Sequence, residues 1–100
     1  MNNFFITIDT EGDNLWNNPG SIQVNNLKEL PRFQTLCELF DFKPIYLTNW
    51  ESANDDFFVN YFKEVQDENK CEIGMHLHAW NNPPLDVQVK TKNLQPFLIE

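Results

Sequence analysis

The sequence predicts an α/β fold in which parallel strands are joined by crossover helices. Short apolar, β-branched runs alternate with segments of helical periodicity, in the order strand, helix, strand, helix, strand. Connections of this length between strands give right-handed crossovers and a parallel sheet. The chain has 100 residues, 41% of them hydrophobic, which predicts that residues 1–100 form a single domain or a fragment of one.

Each element follows from a local pattern. Strands are predicted at residues 4–9 (FFITID), 43–49 (KPIYLTN) and 71–78 (CEIGMHLH). Apolar residues recur at helical spacing over residues 27–40, where the helix itself is expected to begin near Pro31, and a second helix is predicted at residues 55–68. The first strand is apolar throughout, which is typical of a strand buried on both faces. Pro31 suits the first turn of its helix, and Asn54 or Asp55 can cap the second helix. Further along, LDVQVKT (residues 85–91) alternates like an exposed strand.

Three parallel strands with two helices make an incomplete unit, because parallel sheets are normally covered on both faces or closed into a barrel. Both helices are expected on the same face of a curled sheet. The other face, with Phe5 or Ile6, Tyr46 and Ile73, would then be open. We expect a second copy of the chain, in a homo-oligomer, or a missing C-terminal half to cover it.

Charge limits the classes of partner. The net charge is −8 and the seven Lys and Arg residues are scattered, so we expect neither nucleic acid nor an anionic membrane as a partner. No apolar run approaches the ~20 residues of a membrane span. The first residues lack the basic and small-residue features of a secretory leader, so the sequence as written predicts a cytoplasmic protein.

Two groups of polar residues end the first and third predicted strands. His76 and His78, the only histidines, are separated by one residue and so share a strand face. Asp9 ends the first strand, and Glu11 and Asp13 follow it. Because the carboxyl ends of parallel strands lie at one edge, these groups are expected to meet there. Two imidazoles and a carboxylate are ligands for a divalent metal, zinc first, with cobalt or nickel possible, that could activate water.

These residues resemble the polysaccharide deacetylases, carbohydrate esterase family four, of the NodB-homology type. IDTEGD resembles the acidic motif of that family and GMHLHAW its histidine motif, although Thr10 stands where the metal-binding acid is usual and Trp80 where the second histidine is usual. PIYLTNWESA is similar to the family's second strand. The resemblance implies about the first half of a distorted (β/α) barrel.

The resemblance also implies a function: hydrolysis of N-acetyl, or less readily O-acetyl, groups of a carbohydrate by metal-activated water. It makes Asp9 the catalytic base and Glu11, His76 and His78 the metal ligands, with Asp13 the alternative acid. Trp16 and Trp80 are expected to bind the sugar. The general acid has no counterpart, so this chain alone is expected to be inactive. A non-catalytic module binding metal or glycan, and a metal amidohydrolase acting on a non-sugar amide, remain alternatives.

Overall fold

The computed structural model describes residues 3–13 and 22–78. In chain order the elements are β1 (Thr7–Thr10), a 3₁₀ segment (Asn25–Glu29), α1 (Leu30–Leu39), β2 (Ile45–Thr48), α2 (Trp50–Ala53), α3 (Asp56–Asp67) and β3 (Glu72–Met75). The predicted strand at residues 85–91, Trp16 and Trp80 lie outside the described residues.

Within the described residues the three strands form one parallel sheet in the order β1-β2-β3. The α/β prediction and the parallel arrangement are therefore confirmed. The central strand β2 aligns its neighbours, so that Asp9 lies opposite Leu47 and Leu47 opposite Gly74. The barrel implied by the resemblance is larger than this unit and stays a prediction.

The core lies on the face of the sheet that the helices cover. Tyr46 of β2 is fully buried, and its ring lies 4.4 Å from that of Phe62 in α3. Its hydroxyl donates to Gln34 of α1 at 2.8 Å, and Gln34 in turn donates to the carbonyl of Lys70 at 3.1 Å. Both long helices thus pack on the same face of the sheet, as predicted. The cluster comprises Leu27, Tyr46, Phe58, Phe62, Val65 and Cys71, with Ile8 and Ile73 packed against it.

The predicted identity of the open face was wrong. Tyr46 and Ile73 point to the helices, because α1 and α3 pack on their side of the pleat. Successive residues of a strand point to opposite faces, so the residues that alternate with these lie on the open face. That face carries Thr7, Asp9, Ile45, Leu47, Glu72 and Gly74, all exposed or half-buried.

The strand boundaries also differ from the prediction. The first strand begins at Thr7 instead of Phe4, and Thr7 and Asp9 are exposed, so β1 is not buried on both faces. The third strand ends at Met75, so both histidines follow it instead of lying within it. The first long helix, α1, begins at Leu30, next to the expected start near Pro31, and the 3₁₀ segment precedes it. The cap of α3 is Asp55, whose carboxylate accepts from the Phe58 N–H at 2.9 Å.

Candidate metal centre

The candidate site lies at the carboxyl edge of the sheet, just past the ends of the three strands. Glu11 follows β1 directly, Asn49 follows β2 directly, and His76 follows β3 directly. The Asn49 N–H donates to the Thr10 carbonyl and the His76 N–H to the Thr48 carbonyl, both at 2.9 Å. These bonds extend the strand pairing beyond the strands, so the residues that follow β1 and β3 meet at one edge of the sheet.

Three potential ligand atoms converge at this edge. Glu11 Oε2 lies 3.3 Å from Nε2 of His76 and 3.3 Å from Nε2 of His78, and the two Nε2 atoms are 3.0 Å apart. Tetrahedral zinc, with bonds of ~2.0–2.1 Å to nitrogen and oxygen, places its ligand atoms about 3.3–3.4 Å from one another. Two edges of the triangle therefore match one face of a zinc coordination tetrahedron, and the edge between the two Nε2 atoms would have to widen by a few tenths of an ångström. Glu11, His76 and His78 could thus hold a metal ion.

The three side chains are shielded to different degrees. His78 is buried, with 5% of its surface exposed, whereas the Glu11 and His76 side chains are 21% and 25% exposed. Burial lowers the pKa of His78; His76 lowers it further and the Glu11 carboxylate partly opposes the shift. The lowered pKa favours the neutral ring of His78, which is the form in which an imidazole binds a metal.

The peptide group between Glu11 and Gly12 is held at both its carbonyl and its N–H. Its carbonyl accepts from the Asn26 side-chain amide at 2.9 Å, and the N–H of the next residue, Gly12, donates to Glu51 Oε1 at 2.8 Å. Asp13, the alternative acid, is exposed, and its carboxylate lies 3.3 Å from the backbone N–H of Asn26. Of the two acids, the structure brings Glu11 to the histidines.

Asp9 lies on the other side of the His76 ring. Its Oδ1 is 3.8 Å from His76 Nδ1, beyond hydrogen-bond distance, and 63% of its side chain is exposed. The carboxylate therefore lies beside the triangle, on the Nδ1 side of His76, and is open to solvent. It also lies on the side of the ring where many metal-binding histidines meet a carboxylate that orients them.

Asn49 is a site residue that the sequence reasoning missed. Its side chain is fully buried, and its Nδ2 lies 2.7 Å from His78 Nδ1. Its Oδ1 accepts from the Trp50 N–H at 2.6 Å at the start of α2. The available signal was its place, since Asn49 directly follows the second strand as Glu11 and His76 directly follow the first and third.

No protein-family model, curated protein or solved structure matches the chain. The resemblance to polysaccharide deacetylases therefore stays a prediction from the sequence motifs. In the described part of the chain, no helix has the length and apolar character needed to cross a membrane.

Proposed function

We propose that this chain binds a divalent cation, zinc in the first place, through Glu11, His76 and His78, and that the site belongs to a hydrolase of the polysaccharide deacetylase type. The observation that supports the proposal is the triangle of one carboxylate oxygen and two imidazole nitrogens, 3.0–3.3 Å apart. Three protein ligands leave one position of a tetrahedral ion open, as in catalytic rather than structural zinc sites.

The substrate proposed is an N-acetylated or O-acetylated carbohydrate, and this step rests on the motif resemblance. When bound, the metal supplies Lewis acidity for water activation and for charge that develops on a carbonyl oxygen. Asp9, exposed beside His76, would accept the proton of the attacking water as general base. Glu11 and His78 would keep their places as ligands, since both are shielded from solvent more than Asp9 is.

One observation favours a second candidate, a metal-binding module without catalysis. The sequence has two histidines, and both belong to the proposed metal site. No further histidine can therefore protonate a leaving amine as general acid. We expect this chain by itself to bind metal without hydrolysing acetylated sugar, and robust deacetylation by it would contradict that expectation.

Zinc titration of the metal-free protein by calorimetry tests the metal site. We expect one zinc ion per chain, with an affinity that falls at least about tenfold in Glu11→Gln, because Gln keeps the size and a hydrogen-bond acceptor but loses the anionic ligand. The matched control is Asp13→Asn. It removes an acid that is two residues from Glu11 in the sequence and lies outside the triangle, so this variant should bind zinc like the wild type.

Two results would contradict the proposal. One is that the wild type binds none of zinc, cobalt and nickel. The other is that Glu11→Gln and Asp13→Asn bind zinc equally well, which would mean that the acidic charge of the loop, and not the triangle, attracts the ion. Circular dichroism on both variants checks that each remains folded.

A further inference from the structure

The side-chain amide of Asn49 has a defined orientation. Its Oδ1 accepts from the Trp50 backbone N–H at 2.6 Å. If the amide were turned over, its NH₂ group would face that N–H, and two donors would be in contact in a buried place. The NH₂ group therefore faces His78 Nδ1, at 2.7 Å.

This orientation determines which ring nitrogen of His78 carries the proton. An amide NH₂ group only donates, so Nδ1 must accept, and the proton of the neutral ring is on Nε2. Nε2 is the atom that points to Glu11 Oε2 and to His76 Nε2. In most metal sites the outer ring nitrogen is instead an N–H that donates to a carboxylate or carbonyl, which leaves the inner nitrogen open for the metal.

We infer that Asn49 is a positioning residue that lowers the metal affinity of the site by holding the proton of His78 on Nε2. The inference rests on the proposed metal site. A cation that binds Nε2 displaces this proton, and the ring regains a proton on Nδ1. Asn49 must then turn its oxygen to Nδ1 and give up the bond from the Trp50 N–H. Cation binding and the Trp50 N–H therefore compete for one amide oxygen.

Two substitutions relieve this competition in different ways. Asn49→Asp provides two acceptor oxygens, one for the Trp50 N–H and one for His78 Nδ1–H, and Asp caps a helix as well as Asn does. Trp50→Pro removes the N–H itself and adds no charge. Proline is tolerated at the first position of a helix, and Asn49 already has the extended backbone, at φ −84° and ψ 169°, that a residue before proline prefers.

Zinc titration by calorimetry and the ¹⁵N NMR signals of the His78 ring test the inference. We expect both variants to bind zinc about 10- to 100-fold more tightly than the wild type. The matched control, Trp50→Ala, keeps the N–H and should bind like the wild type. In the metal-free wild type the ring proton should be on Nε2, and in Asn49→Asp on Nδ1, a change that added charge alone would not produce.

The inference is overturned if both variants are folded and bind zinc no more tightly than the wild type, or if the wild-type ring carries its proton on Nδ1. If neither the wild type nor any variant binds zinc, the proposed metal site fails and the inference fails with it. Zinc binding by the wild type without any gain in the variants leaves the metal site in place and removes the role of Asn49 alone.

Discussion

Replacing Gly12 by alanine should damage the fold and the metal site together. A Cβ at Gly12 would lie 2.9 Å from the carbonyl oxygen of Gln23 and closer still to the side chain of Ile22. The Gln23 carbonyl cannot easily move away, because it accepts the N–H of Asp13 at 2.9 Å. Ordinary C···O contacts are ~3.3 Å or longer, so the backbone beside Glu11 has to move by several tenths of an ångström.

The cost can be estimated from overpacking. Inserting a methyl group into a tight contact costs ~1–3 kcal/mol, of which ~0.4–1 kcal/mol is offset because alanine restricts the unfolded chain. A net loss of roughly 1–2 kcal/mol lowers the melting temperature of a domain of this size by about 4–16 °C. The same movement displaces Glu11, so zinc affinity should fall as well, since metal–ligand distances tolerate only ~0.2 Å.

The matched control is Gly74→Ala in β3. Its Cβ would meet Leu47 Cδ2 at 2.9 Å, but that atom is the mobile end of a side chain, and the next contact is at 3.9 Å. We expect stability within ~0.5 kcal/mol of the wild type and unchanged zinc affinity. Thermal unfolding by circular dichroism and zinc calorimetry check both variants. If Gly12→Ala melts and binds zinc like the wild type, or if Gly74→Ala loses as much, the reasoning from close contacts is wrong.

Two further predictions concern charge. Residues that orient a metal-binding histidine typically contribute ~10–100-fold to metal affinity. For Asp9→Asn we expect the zinc affinity measured by calorimetry to fall by less than this, because Asp9 Oδ1 is 3.8 Å from His76 Nδ1. A larger fall would make Asp9 an orienting residue instead of a base. Burial raises the pKa of Cys71 to about 11 from an ordinary value of 9.0, with Lys43 opposing the shift. The folded protein therefore keeps this proton where the unfolded chain loses it, and stability should fall as the pH rises from about 9 to about 11. Under reducing conditions, the free energy of unfolding of Cys71→Ala, measured with denaturant, should fall less over this pH range than that of the wild type. An identical fall in both proteins would show that Cys71 does not cause it.

The sequence pattern predicted the elements better than their boundaries. Alternating apolar runs located all three strands, because burial against helices requires apolar side chains on at least one face. Phe4 and Phe5 were included in the first strand because they are apolar, yet they are 68% and 75% exposed and precede the paired residues. Helix α2 was missed because its four residues are too few for helical periodicity to show.

The candidate site was predictable where its residues are common ligands. Glu11, His76 and His78 belong to residue types that bind metals, and the rule that parallel strands end at one edge brings them together even though both histidines lie beyond β3. The choice of Glu11 over Asp13 depends on the path of the loop after β1, which no spacing rule gives. Asn49 was missed because asparagine is also common in turns and helix caps.

The central strand explains why residues from β1 and β3 can form one site. Glu11 and His76 follow strands that do not pair with each other, and the strand between them supplies no ligand in the triangle. The end of β2 instead bonds to both outer segments. The Thr48 carbonyl accepts the His76 N–H, and the Asn49 N–H donates to the Thr10 carbonyl. The Asn49 side-chain NH₂ group donates to His78 Nδ1. A shift of one residue in either pairing would turn the ligands to the other face. A cation bound to Glu11 and both imidazoles would join the outer strands across β2, so that metal binding and correct register stabilise each other.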